Sequence, residues 1–341
     1  MIEAIEDKNN WNEFIDSCIG VDSYNTFEYH ILAKQPEERA VLIAYEHEDI
    51  RIGLPLLIRQ IPGTQLFDAT SVYGYAGPVS NNLPSTYDNT HFIRSLNTYL
   101  TENKIITVFS RLNPFVANQE EILSNYGKIL FKGKIVVIDL LKSVSDQRSF
   151  FQRRLKTHIN KARRNCEIKE ATTKNDLLQF LDIYSENMDR VNADKFYFFK
   201  EDYFYQLLNS VSFKTILLLA TDKSNGIPIA GTLFMLKKGI VQYHLSGTRN
   251  NYLHLMPNKM LIDEMRTRAT TMNCRVLNLG GGLGGSTDDT LFQFKSSYSK
   301  DFRDFKIWQL IVDERNYQSL LEAKNVPAEN DFFPGYRFQP K

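Results

Sequence analysis

The run AVLIAY…IRIGLPLLIR (40–59) returns in the second half of the chain as TILLLAT…IPIAGTLFML (215–236), with Gly53 and Gly231 inside equivalent strands. The elements behind each hairpin repeat as well. A helical stretch at 90–103 and a strand at 105–112 that runs out into RLNP (111–114) match a helix from Pro257 to about Met272 and the strand RVLNLGGG (275–282). Four elements echoed in order amount to an internal duplication, which limits the fold more than any single motif does. Each repeat reads β-β-(β)-α-β-α-β. That order predicts an α/β chain of α+β character, a mixed sheet covered by helices, in two tandem domains. The expected domains are 1–145 and 146–341, with the boundary near Lys142–Asp146, and 341 residues suit two cores of ordinary size.

Further expected elements are a helix around Asn10–Cys18, a helix at 118–126 and the strand KIVVIDL at 134–140. In the second half, helices are expected at 147–165, 174–190 and 288–298, with a last strand at 305–312. Forty-two aromatic residues exclude a disordered chain. No apolar run approaches the roughly 18 residues of a membrane span. The N-terminal MIEAIEDKNNWNEF lacks the charged-then-apolar pattern of a secretory signal. Cys18, Cys166 and Cys274 form no CxxC pair, which points to free thiols in a reducing compartment. A cytoplasmic location is expected.

Charge is balanced overall at +1 but divided unevenly: residues 1–145 carry −6 and residues 146–341 carry +7. The strongest segment is QRSFFQRRLKTHINKARRNC (147–166). Phe151, Leu155, Ile159, Ala162 and Cys166 make one apolar helix face. Arg148, Arg153, Arg154, Lys156, Lys161, Arg163 and Arg164 cover the rest with no acid among them. Such a face either pairs with acids elsewhere in the chain or meets phosphate or nucleic acid.

Gly280, Gly282 and Gly285 match G-x-G-x-x-G after a strand. The dinucleotide reading fails, because some sixty residues remain and no second βαβ half can follow. These glycines are expected to let backbone approach a ligand or partner strand closely. Pro257 suits the first turn of a helix that follows the strand GIVQYHLSG and a polar loop. That helix start, with Asn258 and Lys259, is an anion site by its dipole, and Ser246 to Arg249 occupy the strand exit. No G-x-S-x-G elbow and no H-x-x-x-H pair occur, so neither a nucleophilic triad nor a metal centre is expected.

An ordered set of segments stands out: FDATSVYGYAGP (67–78), RLNP (111–114), FKGKIVVIDL (131–140), LKTHINKARRN (155–165), MDRVNADKFYFFKEDYF (188–204), YHLSGT (243–248), MPNKMLIDE (256–264) and LNLGGG…DDTLFQFKSSYS (277–299). Together they resemble the Fem family of peptidoglycan aminoacyltransferases and their acyltransferase relatives, whose fold is two tandem GNAT-like domains. The resemblance implies transfer of an acyl or aminoacyl group from an activated ester or thioester to an amine of a peptidoglycan or polysaccharide precursor. The implied donor is acyl-CoA or aminoacyl-tRNA, with no permanently bound cofactor and no metal. Phe294 and Lys295 are the implied catalytic pair. Arg190, Tyr73, Gly74, Pro78, Tyr197, His244 and Ser246 are implied on the substrate side. Asn258, Lys259, Gly281, Gly282, Arg153 and Arg154 are implied on the donor side. Tyr243 and Tyr298 are candidate proton donors. The competing expectation is a non-catalytic protein that binds nucleic acid or an anionic glycan through the basic helix.

Overall fold

Strand after strand in this chain is apolar on both sides, as suits a sheet with helices on its faces. In the computed structural model, which describes residues 2–84, 86–283, 288–327 and 329–338, those runs become the central strands. The chain begins β1 (Ile2–Ile5), α1 (Lys8–Ser17), α2 (Phe27–Ala33), β2 (Arg39–His47), β3 (Ile50–Gln60), β4 (Phe67–Thr70) and β5 (Val79–Asn81). It continues through α3 (Thr90–Glu102), β6 (Ile105–Arg111), α4 (Gln119–Leu123), β7 (Lys128–Asp139), α5 (Val144–Ser149), α6 (Arg153–Asn165) and β8 (Cys166–Glu170). Then come α7 (Lys174–Arg190), α8 (Glu201–Leu208), β9 (Lys214–Asp222), β10 (Pro228–Lys237) and β11 (Ile240–Thr248). The last elements are α9 (Pro257–Thr271), β12 (Val276–Gly280), α10 (Thr290–Ser296), β13 (Asp301–Ile311) and α11 (Glu314–Ala323).

Two compact units result: Met1–Lys132 with Asp304–Lys341, and Gly133–Arg303. In the first, the strand order is β1-β2-β3-β4-β6-β13, with β5 on β3. β4 runs parallel to β6, and β13 is antiparallel to β6 from Ile307 opposite Arg111 to Ile311 opposite Thr107. The second has the order β7-β12-β11-β10-β9-β8, with β11 parallel to β12 and β7 antiparallel to β12. The repeats foreseen in the sequence are therefore present, but their last strands are exchanged. β7, the end of the first repeat, completes the second sheet from Gly133 onward, and β13, the end of the second repeat, completes the first. The units divide the chain elsewhere than at residue 145 for this reason.

Helix periodicity sets what each helix buries. α3 puts Phe92, Leu96 and Leu100 inward, and α6 does so with Leu155, Ile159 and Ala162. Trp308 of β13 is fully buried among Leu54, Leu56, Phe92 and Val108, and its indole N–H donates to the Tyr126 carbonyl at 2.6 Å. The C-terminal segment is tied down by Arg337, whose Nε donates to buried Asp68 at 2.5 Å, while Tyr336 bonds Thr107 at 2.7 Å.

One expected helix is broken. Residues 147–165 form parts of α5 and α6 with a kink at Phe150–Gln152, because extended Gln152 donates its N–H to the Ser297 carbonyl at 3.0 Å. All three cysteines are buried, and no disulfide joins any two of them. No helix among the described residues is long and apolar enough to cross a membrane.

The exchange predicts that a fragment ending at residue 142 lacks a cooperative unfolding transition, since β6 then has no β13 beside it. Trp308→Ala in the whole chain should cost about 3–5 kcal/mol, read from the urea midpoint at constant slope.

Candidate active site

β11 and β12 pair in parallel for only three residues, Ile240 with Val276, Val241 with Leu277 and Gln242 with Asn278. The last rung is locked by buried side chains. Asn278 Nδ2 donates to Gln242 Oε1 at 2.8 Å, and Asn278 Oδ1 accepts from the Gly280 N–H at 2.8 Å. β11 runs six residues further along β10, through a register shift between Leu233 and Phe234 that makes His244 the extra residue. β12 instead turns out at Gly280 beside β7. The carboxyl ends of two parallel strands thus diverge, which is where open α/β sheets place their ligands.

α10 delivers a lysine to that divergence. Its N-cap is Asp289, whose Oδ2 accepts from the N–H groups of Phe292 and Leu283, each at 2.9 Å. The cap sits so tightly on Gly282 that a Cβ there would fall 2.2 Å from Asp289 Oδ2 and 2.9 Å from the Phe292 Cβ. Phe292 packs into the core and stacks on Phe302, and three residues on Lys295 follows on the same helix face. Lys295 is 8% exposed, donates from Nζ to the Gly281 carbonyl at 2.6 Å and lies 5.9 Å from the Tyr243 ring. Burial brings its pKa down to about 8, and Asp289 opposes that shift.

Around this lysine the structure collects several of the expected residues. Gly281 accepts its ammonium, Gly282 admits the helix cap, and Tyr243 shares a 2.5 Å hydrogen bond with Ser246. Phe294 lies 5.9 Å from Lys259 Nζ. Asn258 Oδ1 accepts from the Thr232 hydroxyl at 3.4 Å. Tyr298 is fully buried and donates its hydroxyl proton to the Lys259 carbonyl at 3.0 Å. That bond commits the Tyr298 hydroxyl to a backbone carbonyl, and burial holds its pKa well above the ordinary value.

Other expected residues stand elsewhere. His244 Nε2 bonds the Tyr203 hydroxyl of α8 at 2.8 Å, and burial keeps the imidazole neutral, with its pKa brought down to about 3. Tyr197 receives the Tyr184 hydroxyl on its carbonyl at 2.8 Å. Arg190, the exposed last residue of α7, donates to Asn187 at 2.5 Å. Tyr73, Gly74 and Pro78 belong to the other unit. There Tyr73 accepts from Tyr29 through its carbonyl, and Gly74 has φ 124° over the Tyr24 ring, which leaves 2.5 Å for a Cβ. Gly285 lies outside the described residues.

The basic segment is partly neutralised within its own unit. Buried Asp263 of α9 accepts from Arg148 and Arg163 through Oδ2, each at 3.0 Å, and from Arg266 through Oδ1 at 2.8 and 3.0 Å. Arg266, itself buried, also donates to Gln147 Oε1 at 2.7 Å. Exposed Arg153 and Arg154 lie outside this network. Neither Asp263 nor Asp289 was singled out from the sequence. Asp289 has a legible signal, an Asp directly before the apolar-periodic TLFQF, whereas Asp263 has none, because two of its three partners, Arg148 and Arg163, come from other helices.

No curated protein matches the sequence. Residues 214–305, which hold β9 to β12, α9, α10 and the start of β13, match the FemAB family model. The fold is similar to that of FemX, at 12% identity and a TM-score of 0.72, over 93% of this chain and 99% of that one. It is also similar to L-PGS from Bacillus licheniformis, at 13% identity and TM-score 0.59, over 93% and 96%. A tandem GNAT protein from the clavulanic acid biosynthesis pathway gives 9% identity and TM-score 0.52, over 92% and 99%. These define the class: a tandem GNAT-like fold of mixed sheets and helices. The Fem-type resemblance holds on the segment that carries the site, residues 214–305.

The Asp263 network predicts an asymmetry. Asp263→Asn should cost about 3–5 kcal/mol by leaving buried Arg266 without its charge partner. Arg163→Ala, at a half-exposed position, should cost under about 1 kcal/mol. Urea unfolding of the two variants checks both.

Proposed function

We propose that the protein transfers an acyl or aminoacyl group from an activated ester or thioester to an amine of a cell-envelope precursor, with Lys295 as the group beside the departing oxygen or sulfur. One observation carries this reading: a buried lysine held at the mouth of two diverging parallel strands, inside the segment that matches the FemAB family. The neutral acceptor amine attacks the carbonyl carbon, forming a C–N bond. Collapse of the tetrahedral intermediate breaks the C–O or C–S bond, and the amine proton ends on the leaving atom. Such chemistry needs orientation, donors for the oxyanion and a cation for the leaving group more than it needs an acid–base dyad.

Lys295 supplies that cation while it is protonated, with Gly281 fixing its direction. Phe294 faces Lys259 and belongs to the donor side with Asn258, Arg153, Arg154, Gly281 and Gly282. On the acceptor side stand Tyr243, whose ring lies 5.9 Å from Lys295 Nζ, and its hydrogen-bond partner Ser246. Peptidoglycan and polysaccharide precursors are the acceptor classes, and acyl-CoA and aminoacyl-tRNA the donor classes. The non-catalytic reading loses ground because Asp263 accounts for two of the seven cations on which it was built.

Incubation with labelled acetyl-CoA or charged tRNA and a precursor extract tests the transfer; label that moves from neither donor sinks it. Lys295→Met should lower kcat about a hundredfold. Below pH 8 the lysine is charged, so activity should fall on the alkaline side with an apparent pKa near 8. Lys295→Arg keeps the charge, and that alkaline limb should disappear from its pH–rate profile.

A further inference from the structure

The Lys295 ammonium is held by a carbonyl that stands in a glycine turn, and such a turn does not keep its own shape. Gly280, Gly281 and Gly282 contribute no side chains, so the direction of the Gly281 carbonyl is set by what grips the backbone on either side. Downstream, Asp289 accepts from the Leu283 N–H at 2.9 Å. Upstream, the grip is a side chain of β12 itself. Asn278 Oδ1 accepts from the Gly280 N–H at 2.8 Å, which closes an Asx turn. At the same place β12 slips against β7. Asn278 faces Val137 and Gly280 faces Val136, which leaves Leu279 as the extra residue, and Gly280 takes φ 74°. A bulge of this kind turns the chain out of the sheet.

Asn278 is buried, and its amide has a single workable orientation. A backbone N–H needs an acceptor, so Oδ1 faces Gly280 and Nδ2 donates to Gln242 Oε1 at 2.8 Å. Gln242, buried on β11, thus fixes the rotation of the Asn278 amide. Two apolar side chains of similar size would keep the strands together equally well, because the ladder rests on backbone bonds and burial. They would lack an acceptor for the Gly280 N–H.

We propose that Asn278 is a positioning residue for Lys295: by clamping the Gly280 N–H it fixes the turn whose Gly281 carbonyl aims the ammonium at the leaving atom. The leaving atom as target rests on the transferase reading above. An ammonium has three N–H donors in a fixed arrangement, so the 2.6 Å bond to Gly281 sets the directions left to the other two. Released from Asn278, the glycine peptides rotate, the carbonyl leaves the ammonium, and the charged form loses that acceptor. Burial already brings the Lys295 pKa down to about 8, and loss of the acceptor moves it further the same way.

The test is the titration of Lys295, followed through its Cε signal by NMR on the whole protein with isotope-labelled lysine, with Lys295→Met giving the assignment. Asn278→Leu removes both bonds, whereas Gln242→Met removes only the one to Gln242. Each leaves a buried amide group unpaired, so both should lower the urea midpoint. Only Asn278→Leu should lower the Lys295 pKa, by about one unit. The alkaline limb of its pH–rate profile should move with it, with kcat reduced about tenfold and the donor KM nearly unchanged. Asn278→Thr, whose hydroxyl accepts from the Gly280 N–H, should restore most of the original titration. Where Asn278→Leu fails to fold, Asn278→Leu/Gln242→Met leaves neither side-chain amide unpaired and carries the same prediction. A Lys295 titration unmoved by Asn278→Leu, or lowered equally by Gln242→Met, overturns the positioning role even if label is transferred. A titration shifted by Asn278→Leu alone, in a protein that moves label from neither donor, upholds that role and overturns the transferase reading instead.

Discussion

A single carboxylate, Asp263, organises the helical layer of the second unit. It is buried, and three guanidinium groups from three helices converge on its two oxygens. Arg148 comes from α5, Arg163 from the far end of α6, and Arg266 from one turn along α9 itself. A buried charge must be matched closely or it costs several kcal/mol, so this geometry leaves α6 little freedom against α9. The approach of Lys259 on α9 to His158 on α6, 2.8 Å apart, lies across that same junction. The cationic helix is thus in part a structural tie and in part a charged surface, and the same carboxylate draws the line between the two.

The reactive end depends on a different constraint. Gln242 and Asn278 close the parallel ladder with a side-chain hydrogen bond, after which the strands separate. Into that separation α10 sends Lys295, its pKa brought down to about 8 by burial and its ammonium anchored by a backbone carbonyl. A lysine of this kind differs from a surface one in two ways: its charge is poorly screened, and its position is set before any ligand arrives. Both properties matter most where charge appears only transiently on a departing atom.

Much of this was legible in the residues themselves. The hairpins at 40–59 and 214–237 and the helix after Pro257 were read almost to their ends, because dense β-branched runs and a proline at a helix start are strong local signals. The break at Phe150–Gln152 was hidden, since it depends on a carbonyl supplied by Ser297, far along the chain. For the same reason Asp263 looked like one more polar residue on α9, and His244 looked like a ligand contact when its imidazole is committed to Tyr203. Local pattern cannot report a partner that only the fold brings near. The duplication was plain in the sequence, but nothing in it showed that β7 and β13 trade places.

That trade has a consequence for how the chain is made. While the ribosome is still adding the second repeat, β6 stands at the edge of a sheet whose outermost strand has not been synthesised. An open parallel-paired edge with apolar faces is a template for aggregation, and here it waits through nearly two hundred residues of translation. The exchanged strands therefore bind the fate of the first half to the completion of the second.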